Sequence, residues 1–440
     1  MRIFTYALFI FLVFIFSVFR VQGHGLLHPE ALERIPNYLD ERSIFQKVYD
    51  IDRNEYGLYQ ARELSHFFDY IDANFIKLSA SVGLPHFYSL IYFISIFIII
   101  VSCLYIAKSY FNHKNFLIPS LIILIFLFSA IPFFSPYMFR SAKILVALGL
   151  VFTMLSTVRF LSQKLQKTKT YLLVVASALF LAFGDRQGFY VLLILVGFIF
   201  LIFLFFRNKE HLKLFKFLSL GIVFSLIYSY IVAPLLIKID IGHFPSFSYH
   251  KIGFGLIKPI FFRYSTLYSL DVFKYFFGNL NRILVLFLLL IFLEVYITSQ
   301  AEKIGNKLKY TFLSALGILA ILFLNTLMIL KHNAIPLEDV RRVYYSLPLS
   351  TIILLATLYF SGMLLRVYPK VHRYLLTGLF IILVLNVFSL DGHFKIIKNG
   401  LLKDDYEEST RIIDCINSQQ ESYTFGFQED VEKFCELIRR

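Results

Sequence analysis

Charged residues are scarce in this sequence. Asp, Glu, Lys and Arg make up 16% of its 440 residues, whereas an average globular protein contains about 25%. Apolar residues supply 58% of the chain, and its mean hydropathy is +0.70. A composition this apolar excludes a water-soluble globular protein and predicts an all-α polytopic membrane protein.

Metal-binding patterns are missing as well. The chain has three cysteines, too few for a zinc cluster, and its eleven histidines show no metal-ligand spacing such as HExxH. We therefore expect neither a metal nor a cofactor. Cys415 and Cys435 lie 20 positions apart near the C-terminus. An oxidising compartment permits a disulfide between them without requiring one.

Ionisable groups are almost absent from the long apolar stretches. Glu294 is the one exception, and it lies near the expected cytoplasmic end of its stretch. Ion-coupled transporters place such groups near the middle of the bilayer. The sequence also shows no obvious internal repeat. Both absences favour an enzyme over a transporter or a flippase of lipid-linked sugars.

Eleven apolar stretches come close to the roughly 20 residues needed to cross a bilayer. They are 3–19, 87–107, 117–134, 144–158, 171–183, 189–206, 217–237, 283–299, 310–330, 343–363 and 374–390. Sixteen Lys and Arg residues lie in the even-numbered loops, which predicts that these loops are cytoplasmic. The same basic flanks explain the net charge of +14 without a nucleic-acid partner.

This topology predicts a cytoplasmic N-terminus and an external C-terminus. Residues 1–390 form the transmembrane module, with large external loops at 20–86 and 238–282, and residues 391–440 form a short external tail. The expected location is the cytoplasmic (inner) membrane of a bacterium, where membrane lipids surround the chain.

The first external loop contains an amphipathic segment. Its apolar residues recur in steps of three and four on one face; they are Ala61, Leu64, Phe68, Ile71 and Phe75. Another face carries Arg62, His66, Asp69 and Ala73. We expect a helix over about 59–75 that lies along the outer membrane surface. The alternative for its charges is that they are simply solvated.

Acidic residues precede this helix, among them Asp52 and Glu55. The rigid helix can aim a carboxylate into a cavity, where a general base would take the proton of an acceptor hydroxyl. Clustered acids can equally cap a helix N-terminus, which favours negative charge.

The segment GDRQG, 184–188, follows only thirteen apolar residues, about 20 Å of helix against a hydrocarbon core of roughly 30 Å. Asp185 and Arg186 are therefore expected below the outer surface. Charges at that depth are paired or line a wet cavity. The alternative is a structural pair, of Asp185 with Arg186 or with a lysine, that closes a tight turn.

A lipid phosphate needs cations near the outer leaflet, and arginine suits it best because the guanidinium matches phosphate oxygens. The candidates are Arg140, Lys143, Arg186, Lys238, Arg341 and Arg342. Each alone is typical of a residue at the membrane interface. Together with external carboxylates, they describe a cavity that binds an anionic leaving group.

Two motifs resemble those of GT-C glycosyltransferases, in the branch with protein mannosyltransferases and lipid A aminoarabinose transferases. Asp52, Glu55 and Tyr56, followed by QAREL at 60–64, are similar to the Asp-Glu, aromatic, Ala-Arg-Glu-Leu signature of the first external loop. RRVYYSLP, 341–348, resembles the Arg-Tyr-Leu-Leu-Pro element that begins a late helix.

The resemblance implies a GT-C arrangement of helices, a polyprenyl-phosphate sugar donor and an acidic first-loop base, here Asp52 first and Glu55 second. The expected substrate-binding residues are Arg62, Arg140, Asp185, Arg186, Arg341 and Arg342. We therefore predict a glycosyltransferase that acts on a lipid, glycan or protein acceptor outside the cytoplasm. The alternatives are a polysaccharide polymerase or ligase, and a non-enzymatic flippase or transporter of lipid-linked sugars.

Overall fold

The computed structural model of the chain describes residues 2–25, 29–49, 58, 59, 61–111, 116–162, 167–207, 209–247, 272–277, 294, 297, 311–313, 315–317, 340–399, 403–418 and 434–438. The regular structure in these ranges is helical, apart from two short strands. β1 (Leu58–Tyr59) pairs in parallel with β2 (Ser246–Phe247). The predicted all-α class is confirmed.

The described part of the chain contains fifteen α-helices. In chain order they are α1 (Arg2–Gln22), α2 (Pro29–Leu39), α3 (Ile44–Tyr49), α4 (Glu63–Ser81), α5 (Leu90–Tyr110), α6 (Leu117–Leu127), α7 (Ala130–Phe134), α8 (Ala142–Ser162), α9 (Lys167–Gly184), α10 (Arg186–Phe206), α11 (Lys209–Ile227), α12 (Ala233–Ile241), α13 (Val340–Val367), α14 (His372–Asn399) and α15 (Lys403–Ser418). A π-helical turn, Tyr228–Val232, joins α11 to α12. The helix α14 runs past residue 390, where the external tail was expected to begin.

Seven helical stretches of the described chain are long and apolar enough to cross a membrane. They are Ile3–Gln22, Leu90–Tyr110, Ala142–Arg159, Gly188–Phe206, Lys209–Asp240, Tyr344–Val367 and Pro369–Lys395. Two shorter apolar helices, Leu117–Leu127 and Tyr171–Gly184, match two further expected spans. The expected spans 283–299 and 310–330 lie largely outside the described residues. The total of eleven therefore stays a prediction.

The helices α5, α8 and α13 form the centre of the bundle. In the apolar stretch of each of these helices, between 67% and 78% of the residues are buried, against 17% to 22% for α1, α10, α14 and the α11–α12 stretch. Close packing holds α9 and α10 against this centre. A Cβ atom on Gly188 would come within 2.2 Å of the Leu181 carbonyl oxygen, so only glycine fits there.

The helix α4 begins later and ends later than expected. Residues 58 and 59 are strand, and the helix runs from Glu63 to Ser81. It ends at Gly83, whose φ of +76° allows Leu84 to donate its N–H back to Ser79. No strong helix breaker lies between residue 75 and this glycine, which is why the helix continues.

The two faces of α4 have different surroundings. Leu64 and Phe68, from the apolar stripe, pack against the main core of the bundle, while Ala61 packs beside Tyr49 on another small cluster. The polar face is the buried one, and Asp69 and Asp72 are 2% and 1% exposed. The solvated alternative is therefore excluded for these two carboxylates.

The C-terminal segments pack against the first loop. Residues of α15 and of 434–438 share one apolar cluster with α2, α4 and Phe139, which we call the outer cluster. Its members are Ile35, Tyr38, Ala73, Ile76, Phe87, Phe139, Ile412, Cys415, Ile416, Phe434, Cys435 and Ile438. Both cysteines are buried in this cluster, so these C-terminal segments are packed against the folded first loop.

Candidate functional site

A polar pocket lies where α2 and α4 meet the ends of α8, α9 and α13. Its lining is dominated by charged side chains and tyrosines: Arg34, Arg62, Ser65, His66, Asp69, Arg140, Ala142, Lys143, Asp185, Tyr344 and Tyr345. The free space between them is about that of a single water molecule. The pocket is therefore nearly filled by its own side chains.

Asp185 pairs with two cations from distant parts of the chain. Lys143 donates from its Nζ to Asp185 Oδ2, and Arg62 Nη2 lies 3.6 Å from Oδ1. The side chains of Lys143 and Asp185 are 1% and 2% exposed, so each charge depends on the other for stabilisation. One expected alternative was a structural pair of Asp185 with a lysine that closes a tight turn. Asp185 does have a lysine partner, but this lysine belongs to α8 and not to the turn.

The turn between α9 and α10 fixes the direction of Asp185. This residue stands between Gly184, which ends α9, and Arg186, which begins α10, and its carbonyl oxygen accepts the Gly188 N–H at 2.8 Å. A carboxylate just before a helix N-terminus is favoured by the helix dipole. The Arg186 side chain lies outside the described part of the protein.

Two tyrosines of α13 cover Lys143. The Tyr344 hydroxyl accepts the backbone N–H of Lys143 at 3.2 Å, and Lys143 Nζ lies 4.8 Å from the centre of the Tyr345 ring. The segment RRVYYSLP therefore reaches the pocket through its tyrosines. Arg341 and Arg342 are backbone positions in the first turn of α13, and their side chains are outside the described residues.

Asp69 is the second carboxylate of the pocket. It accepts the Ser141 N–H at 2.8 Å. Burial raises the pKa of Asp69, against the opposing effects of the Ser141 hydrogen bonds and of Arg34 and Arg140. Its environment is therefore less favourable to ionisation than water is.

A strained backbone aims residues 140–143 at this carboxylate. Phe139 adopts the left-handed conformation with φ +42° and ψ +49°, which is rare for a bulky residue. It is 2% exposed and packs in the outer cluster. Arg140, Ser141 and Lys143 follow directly and all contribute to the pocket or to Asp69. Such strain persists only where the surrounding structure holds it.

His66 extends the polar network away from the cations. Its Nδ1 lies 2.8 Å from the hydroxyl of Tyr38, and both side chains are buried. Tyr38 also belongs to the outer cluster. This hydrogen bond therefore links the pocket to the packing of the C-terminal segments.

Asp72 serves the fold instead of the pocket. It accepts the Ile91 N–H at 2.9 Å and the Ser89 hydroxyl, at the first turn of α5. Ser89 in turn accepts the Tyr92 N–H at 3.0 Å. Burial raises the pKa of Asp72 to about 8, although these hydrogen bonds oppose the rise. The residue is a buried helix cap.

Sequence reasoning found part of this pocket. Arg62, Arg140 and Asp185 were expected to bind substrate, and the structure brings these three together. Lys143 was considered only as one cation among several. His66 and Asp69 share a helix face with Arg62 at steps of three and four, a signal that could have selected them. Arg34 carries no comparable signal in the sequence.

The expected catalytic acids Asp52 and Glu55 lie outside the described residues, between α3 and β1. Their role stays a prediction. Arg62, ten positions after Asp52, is the pocket residue of the same loop nearest to them in the chain. Within the described part of the chain, no group of three or more His, Cys, Asp or Glu residues could hold a metal ion.

The described pocket carries an excess of positive charge. Four cations, Arg34, Arg62, Arg140 and Lys143, line it together with two carboxylates, Asp69 and Asp185. Such a cluster can bind an anion with several charge-assisted hydrogen bonds. Comparison of the chain with protein-family models, with curated proteins and with solved structures finds no match.

Proposed function

We propose that the protein is an integral membrane glycosyltransferase of GT-C type, which moves a sugar from a polyprenyl-phosphate donor to an acceptor on the external face of the membrane. The observation that carries this proposal is the convergence of four cations on a buried pocket at the ends of membrane-spanning helices. An anionic lipid headgroup lies at this depth, where helix ends meet the interface.

The charge excess suits the chemistry of sugar transfer. The donor is a phosphate diester with one negative charge, and the leaving group is a monoester with about two. Negative charge therefore grows on the phosphate as the bond to the sugar breaks. Cations already oriented around that phosphate bind the transition state more strongly than the donor, which accelerates the reaction.

Arg62 is more accessible to an incoming phosphate than Lys143 is. Its side chain is 23% exposed and lies 3.6 Å from Asp185, a looser contact than that of the buried Lys143. In this proposal, the donor phosphate takes the place of the carboxylate on Arg62. Asp185 keeps Lys143 and acts as the counter-ion that holds the empty pocket together.

The reacting groups follow from the sequence motifs. Asp52, or Glu55 as the second candidate, removes the proton from the acceptor hydroxyl. The hydroxyl oxygen attacks the anomeric carbon of the sugar, and the bond from that carbon to the phosphate oxygen breaks. Polyprenyl phosphate leaves with the electron pair and remains bound to the cations.

The predicted topology agrees with this placement. Arg140 and Lys143 come from the loop at 135–143, Asp185 from the loop at 184–188, and Arg62 from the first loop. All three loops were assigned to the external side from the distribution of Lys and Arg alone. Their meeting in one pocket supports a site on a single side of the membrane, which the proposal takes to be the external side.

The test is consumption of the donor by purified protein. Cells that lack the protein should accumulate a sugar-linked polyprenyl phosphate, and the purified protein in detergent should release its sugar to an acceptor extract. Arg62→Gln should reduce this release, because the phosphate loses one of its accessible cations. A protein that merely flips the lipid cannot consume it in detergent, so an unchanged sugar-lipid would contradict the proposal.

A further inference from the structure

The helix α4 has three distinct faces. One face is buried against the protein and carries the polar residues of the pocket and the cap, among them His66, Asp69 and Asp72. Elsewhere on the helix, exposed side chains form two edges of opposite character.

The first edge is apolar. Phe67, Ile71, Phe75, Leu78 and Val82 follow one another in steps of four, four, three and four, so they lie in one line along α4. Phe67, Leu78 and Val82 are 40%, 60% and 63% exposed. We call this line the apolar edge. Its length, from residue 67 to residue 82, is about 22 Å at 1.5 Å per residue.

The second edge is polar. Asn74, Lys77 and Ser81 form a second line along α4, next to the apolar edge. Asn74 and Ser81 are exposed. A helix that meets protein on one face, apolar surroundings on the next and water on the third is typical of a membrane interface.

A row of rings connects the apolar edge to a membrane span. Phe19, 44% exposed at the end of α1, meets Tyr88 with ring centres 4.9 Å apart. Tyr88 lies 5.9 Å from His86, and His86 lies 5.3 Å from Phe75 of the apolar edge. Amphipathic rings gather at the level of lipid headgroups. Tyr88 itself is only 2% exposed, so the row packs the end of α1 against α4 and places the apolar edge beside a predicted membrane span.

We propose that the apolar edge of α4 is immersed in the outer leaflet of the membrane, with phospholipid acyl chains as its partner. Asn74 and Ser81 then face water, and the lipid surface fixes the depth of α4. Because His66 and Asp69 lie on the opposite face, the same contact sets the depth of the charged pocket relative to the headgroups. The lipid contact itself does not depend on the proposed sugar transfer.

The absence of tryptophan from the chain makes a direct test possible. A single tryptophan is introduced at an apolar-edge position, as Leu78→Trp or Val82→Trp, or at a polar-edge position, as Asn74→Trp or Ser81→Trp. All four positions are exposed, so each ring can be accommodated. The full-length variants are reconstituted in bilayers of ordinary or brominated phosphatidylcholine, and iodide is added as a quencher from water.

We expect blue-shifted emission from Leu78→Trp and Val82→Trp, loss of most of it in brominated lipid, and little effect of iodide. Asn74→Trp and Ser81→Trp should emit at longer wavelength, respond little to brominated lipid and lose most of their emission when iodide is added. Apolar-edge tryptophans that respond to iodide and not to brominated lipid would overturn the proposal. So would apolar-edge tryptophans that respond to neither quencher, because a protein segment would then cover the edge. None of these results decides the glycosyltransferase proposal, which has its own test.

Discussion

Replacement of Lys143 by methionine removes one partner of the buried ion pair and keeps an unbranched side chain. Lys143 and Asp185 are 1% and 2% exposed, so water cannot solvate the carboxylate that remains. Removal of one partner from such a pair costs about 3–5 kcal/mol. Because Arg62 still lies 3.6 Å from Asp185, we expect a loss near the lower limit, about 3 kcal/mol.

A second substitution separates the charge effect from the packing effect. Asp185→Asn removes the carboxylate and keeps the shape of the side chain just before α10. In the double variant Lys143→Met/Asp185→Asn, neither buried charge is left without its partner. We expect the double variant to be more stable than Lys143→Met alone, so the two losses are not additive.

The assay is the thermal unfolding midpoint of each purified variant in one detergent, measured from the monodisperse fraction that survives heating. Lys213→Met is the matched control, because Lys213 pairs with Glu210 on α11 and its side chain is 50% exposed; it should change the midpoint little. If Lys143→Met unfolds at the wild-type temperature, or if the double variant loses the sum of both effects, the buried pair does not hold the pocket as described.

Three further predictions address other residues. Asp72→Asn should keep the cap on α5. Because the pKa of Asp72 is raised to about 8, the stability of the wild type should fall as the pH rises from about 4 to about 8. The stability of this variant should fall less over the same range, as unfolding measured at several pH values will show. Asp52→Asn and Glu55→Gln should be assayed for transfer at matched expression; loss of the base should reduce the rate by about 10²–10⁴-fold, whereas the exposed Glu41→Gln should have little effect, and full activity in both acid variants would refute the assigned base. A reporter that fluoresces only in the cytoplasm should stay dark at the C-terminus, and bright fluorescence would contradict the external site.

The membrane spans could be predicted because each helix that crosses lipid needs a long apolar sequence and satisfies its backbone by itself. The stretch 189–206, for example, corresponds to Gly188–Phe206 in the structure. The apolar pattern lies within each stretch, so the span can be predicted without knowing how the helices pack. The short span before Asp185 was recognisable for the same reason.

The partners within the pocket could not be predicted in this way. Arg62, Lys143 and Asp185 come from three separate stretches, and only helix packing brings them together. The burial of the polar face of α4 could not be predicted either, because an apolar stripe normally faces a protein core. Beside a membrane the apolar side can face lipid, which leaves the polar side for the protein interior. The periodicity of the sequence is the same in both cases, so it does not tell whether the apolar side faces protein or lipid.

The central claim is that the pocket binds the phosphate of a polyprenyl carrier. The most direct measurement compares the affinity of the purified protein for polyprenyl phosphate and for the uncharged polyprenol of equal length, at fixed salt. Charge-assisted hydrogen bonds contribute about 1.5–3 kcal/mol each, so the phosphate should bind at least about tenfold more tightly, and Arg62→Gln should reduce that preference. Equal affinity for the two lipids, or a preference that Arg62→Gln leaves unchanged, would contradict the account.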